Sequence, residues 1–283
     1  MQIRKLGDNK PKILIIQGSP RDKDSCSDMS SKSHDIVDYI KDKWLPFIDF
    51  HTIDLAVNQA KQPIVQPCKG CISTAGGYHC HFPCSCYFKG DKKKPDLMHD
   101  LDIYKLLQEC DAFIIISPVH WFSLTSQVKA FFDRLVCVNQ TLAVDDAKNL
   151  MGPKNIKNSE ITGKLSKSGK YENMLRNHLD GKVAAFYVHG DDGANDYTKN
   201  KLPESYDVIS DPFTIDPKSA VLPYIMQMKY SGVFVPDNLV QAFHVNKGLD
   251  YYTANKTFDK QKEFKERADV LIENLLNYLD EKD

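Results

Sequence analysis

Three short apolar runs, each opening into a polar loop with glycine or proline, constrain this chain more than any other feature. They are Lys12-Ile13-Leu14-Ile15-Ile16 before Gln17-Gly18-Ser19-Pro20-Arg21, Ala112-Phe113-Ile114-Ile115-Ile116 before Ser117-Pro118-Val119-His120-Trp121, and Lys182 to Val188 before His189-Gly190-Asp191-Asp192-Gly193. Unbroken apolar runs of this length suit central parallel strands, which are buried on both faces and need no polar alternation. Phe50 to Leu55 is a further strand, and Val233 to Val235 or Leu239 to Val245 supplies a fifth. Between the runs the apolar spacing becomes helical. The stripes are Ile36, Val37, Ile40 and Trp44; Leu97, Leu101 and Tyr104, starting near Pro95-Asp96; Val128, Phe131, Phe132, Leu135 and Val136; Val221, Leu222, Ile225 and Met226; and a closing stripe from Phe264 to Leu279. Strands alternating with helices predict an α/β fold, a doubly wound open parallel sheet covered on both faces. In such a sheet the three loops leave the carboxyl ends of strands and converge on one ligand site.

Composition narrows the function classes. The 283 residues are 42% hydrophobic and carry a net charge of −1, so nothing electrostatic argues for nucleic acid or an anionic membrane. The first apolar run is too short for a signal-peptide core, and no stretch approaches the ~20 apolar residues of a membrane helix. The expectation is a cytoplasmic protein with neither a membrane nor a nucleic-acid partner. A single domain is expected over 1–283, with its core at about 10–245, a Cys-rich loop at 67–90, a polar insertion at 139–180 and a C-terminal helix at 258–280. From Lys148 to Lys182 there are eight Lys or Arg against three acids. That stretch would attract a 2′-phosphate or serve only as a solvated loop.

The loops carry the chemistry. Gly18-Ser19-Pro20-Arg21 with Ser25 and Ser27 reads as a phosphate loop, because glycine permits a tight turn, hydroxyls donate and Arg21 offers a fork of donors. The same residues also serve as a plain βα turn with a capping serine. The loop is neither a dinucleotide fingerprint nor a Walker motif. It suits a terminal monophosphate. Ser117 to Ser123 sets an imidazole, a flat indole and small polar residues directly after a central strand, where they can lie against a planar heterocycle. Alternatively, Trp121 and Phe122 pack beneath the following helix.

These motifs carry a family likeness. Gly-Ser-Pro-Arg after the first strand, together with Ser117-Pro118-Val119-His120-Trp121-x-Ser123 and Lys129-Ala130-Phe131-x-Asp133-Arg134, resembles the flavodoxin-fold NAD(P)H-dependent FMN reductases. The resemblance implies a flavodoxin-like five-stranded sheet with insertions and bound FMN. Ser19, Arg21, Ser25 and Ser27 would meet the phosphate, and Pro118, Val119, His120, Trp121 and Ser123 the isoalloxazine. His189, Gly190 and Asp191 would supply the third flavin loop. It also implies electron transfer from NAD(P)H through FMN to a quinone, a flavin or another acceptor, in a homo-oligomer. FMN carries the reaction, so no catalytic side chain is assigned. An iron–sulfur flavoprotein that relays electrons between proteins, and a flavin-binding sensor without turnover, stand as alternatives.

Five of the eight cysteines, Cys68, Cys71, Cys80, Cys84 and Cys86, lie within 19 residues, flanked by His79 and His81. Cys68-x-x-Cys71 has the spacing of a metal knuckle, and the other three can add thiolates for zinc or an iron–sulfur cluster. The same spacing permits a Cys68–Cys71 redox disulfide or reduced thiols. The family's iron–sulfur branch has a tighter spacing, so its cluster is not carried over.

Overall fold

The computed structural model describes residues 10–21, 31–56, 64–71, 80–152, 172–190, 217–245 and 261–281. Five parallel strands form the sheet: β1 (Lys12–Gln17), β2 (Asp49–Asp54), β4 (Ala112–His120), β7 (Val183–Gly190) and β8 (Val240–His244). Their order across the sheet is β2-β1-β4-β7-β8. This is the doubly wound flavodoxin-like order, with its switch point between β1 and β4. Short β3 (His81–Phe82) pairs with β6 (Leu142–Ala143), and β5 (Ser123–Leu124) folds back antiparallel onto β4.

Alternate residues of each central strand feed opposite cores. Leu14, Ile16, Phe113, Ile115, Ala184 and Phe186 face one side, and Ile13, Ile15, Ile114, Ile116, Ala185 and Tyr187 the other. Each large apolar side chain so buried contributes about 1.5–3 kcal/mol, which is why these runs tolerate no polar alternation.

The second side is closed by α1 (Lys32–Trp44) and the last helix, α7 (Lys262–Asp280). Asp269 of α7 clamps the pair, accepting from Tyr39 Oη at 2.9 Å and Trp44 Nε1 at 3.1 Å, with Lys43 Nζ at 2.6 Å. The first side is covered by α2 (Leu97–Asp100), α3 (Ile103–Glu109), α4 (Ser126–Arg134) and α6 (Leu222–Tyr230), while α5 (Val144–Met151) lies in the region expected to be an insertion.

Three differences from the sequence reading matter. The helix expected over Leu97 to Tyr104 is two short helices, broken where Asp102 takes the left-handed conformation at φ 51° and leaves Leu101 exposed. The helix at 222–230 turns Leu222 and Met226 outward and buries Tyr224 and Met228 instead. The loop expected after Ile116 is strand: β4 continues through Pro118 to His120 and returns through β5. Pro118 is tolerated because β4 here pairs parallel with β7, Pro118 opposite His189, at the end of the ladder.

Candidate flavin site

The site is built at the switch point. The backbone N–H of Gly18 donates to the Ile116 carbonyl at 2.8 Å, and Thr125 Oγ1 donates to the Gly18 carbonyl at 2.5 Å. Thr125 also caps α4, accepting from the Val128 N–H at 3.3 Å. A Cβ at position 18 would overlap Val128 and sit 3.1 Å from Ser117. Glycine is required there by close approach of the first loop, the β4 end and α4.

The first loop rests on a polar network that the sequence reading missed. Buried Gln17 accepts from the Ser19 N–H through Oε1 and donates to Asp54 Oδ1 at 2.9 Å. Asp54 Oδ2 lies 2.8 Å from His34 Nε2. The hydrogen bond to Asp54 outweighs burial and raises the His34 pKa. Ser31 caps α1, accepting from the His34 N–H. One signal was available in sequence: Ser31 is an N-cap residue type directly before an apolar stripe. Ser19 is buried and its Oγ accepts from the Arg21 N–H at 3.3 Å, shaping the turn from within. Ser25, Ser27 and Asp191 lie outside the described residues.

Cationic and imidazole groups from three elements meet here. His189, at the end of β7, is buried with Nε2 2.8 Å from Ser33 Oγ on the first turn of α1. Burial, reinforced by the charge of Lys32 and then by His120 and Arg21, pushes its pKa down to about 3. Burial, with Arg21 nearby, also lowers that of His120. Both imidazoles are thus held neutral beside fixed positive charge, an environment that favours an anion. Gly190 ends β7 and opens towards the same edge.

Above these groups stands the aromatic turn. Val119 pairs with Leu124 and His120 with Ser123, leaving Trp121 and Phe122 as a two-residue hairpin turn. Both are left-handed, at φ 47° and 65°, the backbone of a type I′ turn that Asn-Gly normally occupies. Bulky residues there cost roughly 1–2 kcal/mol each, and such strain collects at ligand sites. Trp121 is 93% exposed and Phe122 56%, so packing beneath the next helix is excluded. Ser123 Oγ lies 3.0 Å from Tyr224 Oη, tying the turn to α6.

The cysteines are elsewhere. They surround Arg134 at the far end of α4, eight residues or roughly 12 Å along the helix from Ser126. Arg134 and Asp96 form a fully buried pair with bonds of 2.8 and 3.0 Å. Asp96 precedes α2, as the sequence suggested, but its carboxylate takes Arg134 and the Gln66 N–H rather than capping the helix. Cys80, Cys84 and Cys137 are buried; Cys68, Cys71 and Cys86 are half-buried. Cys71 Sγ lies 2.9 Å from Cys86 Sγ, while the Cys80 and Cys137 thiols donate to the His81 and Arg134 carbonyls; the neighbouring thiols raise the Cys80 and Cys86 pKa values and lower that of Cys84. Among the described residues no three His, Cys, Asp or Glu side chains are gathered as a metal ion requires, so nothing among them supports the zinc or iron–sulfur expectation.

Among the described residues no helix is long and apolar enough to cross a membrane. RosB with a bound 8-demethyl-8-formylriboflavin-5′-phosphate intermediate is 14% identical, with a TM-score of 0.52 over 96% of this chain and 81% of that one. At this identity the likeness speaks for the fold alone. General stress protein 14 of Treponema denticola in complex with FMN is 14% identical over 96% and 99% of the two chains, with a TM-score of 0.44. An NADPH-quinone reductase from P. pentosaceus is 12% identical over 92% and 98%, with a TM-score of 0.39. No curated protein matches the chain. The family described as NADPH-dependent FMN reductase matches residues 11–198, about two thirds of the chain, from the first strand past the third loop. The strand order, the loops gathered at the switch point and this match lead to one conclusion: the chain is an oxidoreductase belonging to the NADPH-dependent FMN reductase family.

Proposed function

We propose that this enzyme holds FMN at the carboxyl edge of β1, β4 and β7 and uses NADPH to reduce a quinone, a free flavin or another small acceptor. The donor set fits the cofactor. Arg21 supplies fixed charge for a terminal phosphate. The tight Gly18 turn brings backbone close to it. His120 and the Trp121–Phe122 turn offer an imidazole and flat aromatic surface to a planar ring. FMN supplies the redox chemistry when bound, since it accepts two electrons and returns them singly or together. The protein's part is to hold and orient, and no side chain is assigned a proton-transfer role. His189 stays neutral beside the positive charges of Lys32 and Arg21. The carrying observation is the exposed, strained aromatic turn that directly follows His120 at the end of β4, the strand whose Pro118 lies opposite His189. It is the kind of strain that persists where a ligand uses it.

The test is steady-state oxidation of NADPH by the FMN-loaded protein with a benzoquinone, and separately with excess FMN, as acceptor. Turnover that depends on both the loaded flavin and the acceptor supports the reading. A flavin-loaded protein that is not reduced by NADPH or NADH would reject the reductase and leave a flavin-binding protein.

A further inference from the structure

Two cysteine-bearing segments meet at a point that the flavin site does not use. Cys71 Sγ lies 2.9 Å from Cys86 Sγ, across 15 positions of sequence. Both residues are half-buried, within reach of a small reagent, whereas Cys80, Cys84, Cys110 and Cys137 are buried. The approach is held by contacts on both sides. Tyr87 Oη donates to the Pro67 carbonyl at 2.8 Å, and Lys69 Nζ donates to the Cys86 carbonyl at 3.3 Å. The Tyr87 ring lies between the Lys69 ammonium at 4.6 Å and the Arg134 guanidinium at 4.5 Å, contacts that restrain it by cation–π attraction. The Cys-x-x-Cys spacing suggested Cys68 as the partner of Cys71. Instead, Cys68 Sγ accepts from the Gly70 N–H at 3.4 Å, and Cys71 faces Cys86.

A cavity of about 440 Å³ borders the segment that leads into Cys71; Cys68, Gly70, Gln227 and Tyr230 line it, and Cys71 and Cys86 themselves do not. Gly70 is left-handed at φ 62°, and nothing lies within 4 Å of where its Cβ would stand. A cavity of this size accommodates a small organic molecule.

We propose that Cys71 and Cys86 are a redox-active dithiol that exchanges with a low-molecular-weight disulfide reaching the half-buried pair from solvent. One of the two, as its thiolate, attacks a sulfur of the disulfide RSSR. A protein–SR bond forms, the S–S bond of RSSR breaks, and RS⁻ leaves and takes up a proton. The second cysteine loses its proton and attacks the protein sulfur of the mixed disulfide. The Cys71–Cys86 bond forms and a second RSH departs. Two protein thiols are oxidised by two electrons and one RSSR is reduced to two RSH. Only a small sulfur movement is needed, because the pair is already in contact.

The test uses the full-length protein equilibrated in glutathione buffers of rising disulfide content, acid-quenched, alkylated and cut by chymotrypsin after Tyr78, which separates Cys71 from Cys86. The expected product is a Cys71 peptide linked to a peptide whose bonded sulfur is assigned by fragment ions to Cys86, lost on adding dithiothreitol. Cys86→Ser should trap Cys71 as a mixed disulfide with glutathione, and Cys71→Ser should trap Cys86. If one variant fails to fold by circular dichroism, the other and the wild type still decide. Free alkylation of both thiols in folded wild type at every ratio would overturn the proposal. So would linkage of Cys71 to Cys68 or Cys84, or stoichiometric zinc or iron shielding the thiols without oxidant.

Discussion

The two ends of α4 are built on opposite principles. At its start, Thr125 ties the helix to the Gly18 carbonyl, and three strand ends deliver polar groups by register, with His189 opposite Pro118. At its end, Arg134 reaches into segments with little regular structure and holds them through Asp96 and the Gln66 carbonyl. The sheet fixes the position of the first region. That region can therefore carry strain and exposed aromatics. The second depends on one buried ion pair, and of its thiols Cys71 meets Cys86 while Cys68, Cys80 and Cys137 bond backbone groups. Only the first has the pre-formed geometry that cofactor binding asks for.

The comparison breaks first, and by the largest effect, at the ion pair. Arg134→Met should cost about 3–5 kcal/mol, because it leaves the Asp96 carboxylate buried and unpaired. Urea unfolding measures it, and a loss under about 1 kcal/mol would mean that the far end does not depend on this pair. FMN affinity of the folded fraction should be unchanged.

His189 gives the next effect. Its folded pKa lies below the ordinary 6.5, so between about 6.5 and 3 the unfolded chain binds more protons than the folded one. Stability is then present in full above about 6.5 and falls as the pH drops, at up to about 1.4 kcal/mol per unit. Between pH 6.5 and 4.5, above most carboxylate titrations, the wild type should lose about 2–3 kcal/mol. His189→Asn should flatten that slope. An unchanged slope would remove His189 as its source.

The smallest effect sharpens the contrast. Trp121→Asn with Phe122→Gly places the preferred residues in the left-handed turn and should stabilise the protein by about 1–2 kcal/mol while weakening flavin binding. Equal flavin affinity with higher stability would mean that the strain serves nothing at this site.

The sheet was the legible part. β1, β4 and β7 follow from apolar runs, to within one or two residues except at the end of β4, because burial on both faces leaves no alternative pattern; edge strand β2 is largely exposed, and of the two candidates for the fifth strand Val240–His244 takes the place. At Ser117-Pro118 the serine and proline imitate a loop, and only pairing with β7 and β5, which no local spacing encodes, keeps the chain extended. The helix at 222–230 was legible as a helix but not in orientation. Leu222, Met226 and Tyr230 make an apolar stripe that faces outward, and Tyr224 faces in because Phe132 and Ser123 receive it. In the flavin site, Arg21, His120, Trp121 and His189 were each named in advance and are brought to one edge. Gln17, Ser33, His34 and Asp54 were not, since they interact across separations of 17 residues and more. The cysteines were legible only as a cluster. Their spacing allows a knuckle, a disulfide or free thiols, and the approach of Cys71 to Cys86 depends on contacts such as Tyr87 to Pro67, 20 residues apart, that no local spacing encodes.

The most direct measurement is a fluorescence titration of FMN into the apoprotein, run in parallel with Arg21→Ala and Cys71→Ser. The account predicts stoichiometric binding by wild type and a loss of about 1.5–3 kcal/mol, roughly 10- to 150-fold in Kd, for Arg21→Ala. It predicts no change for Cys71→Ser. Failure of the wild type to bind FMN, or affinity that follows Cys71 and ignores Arg21, would contradict it.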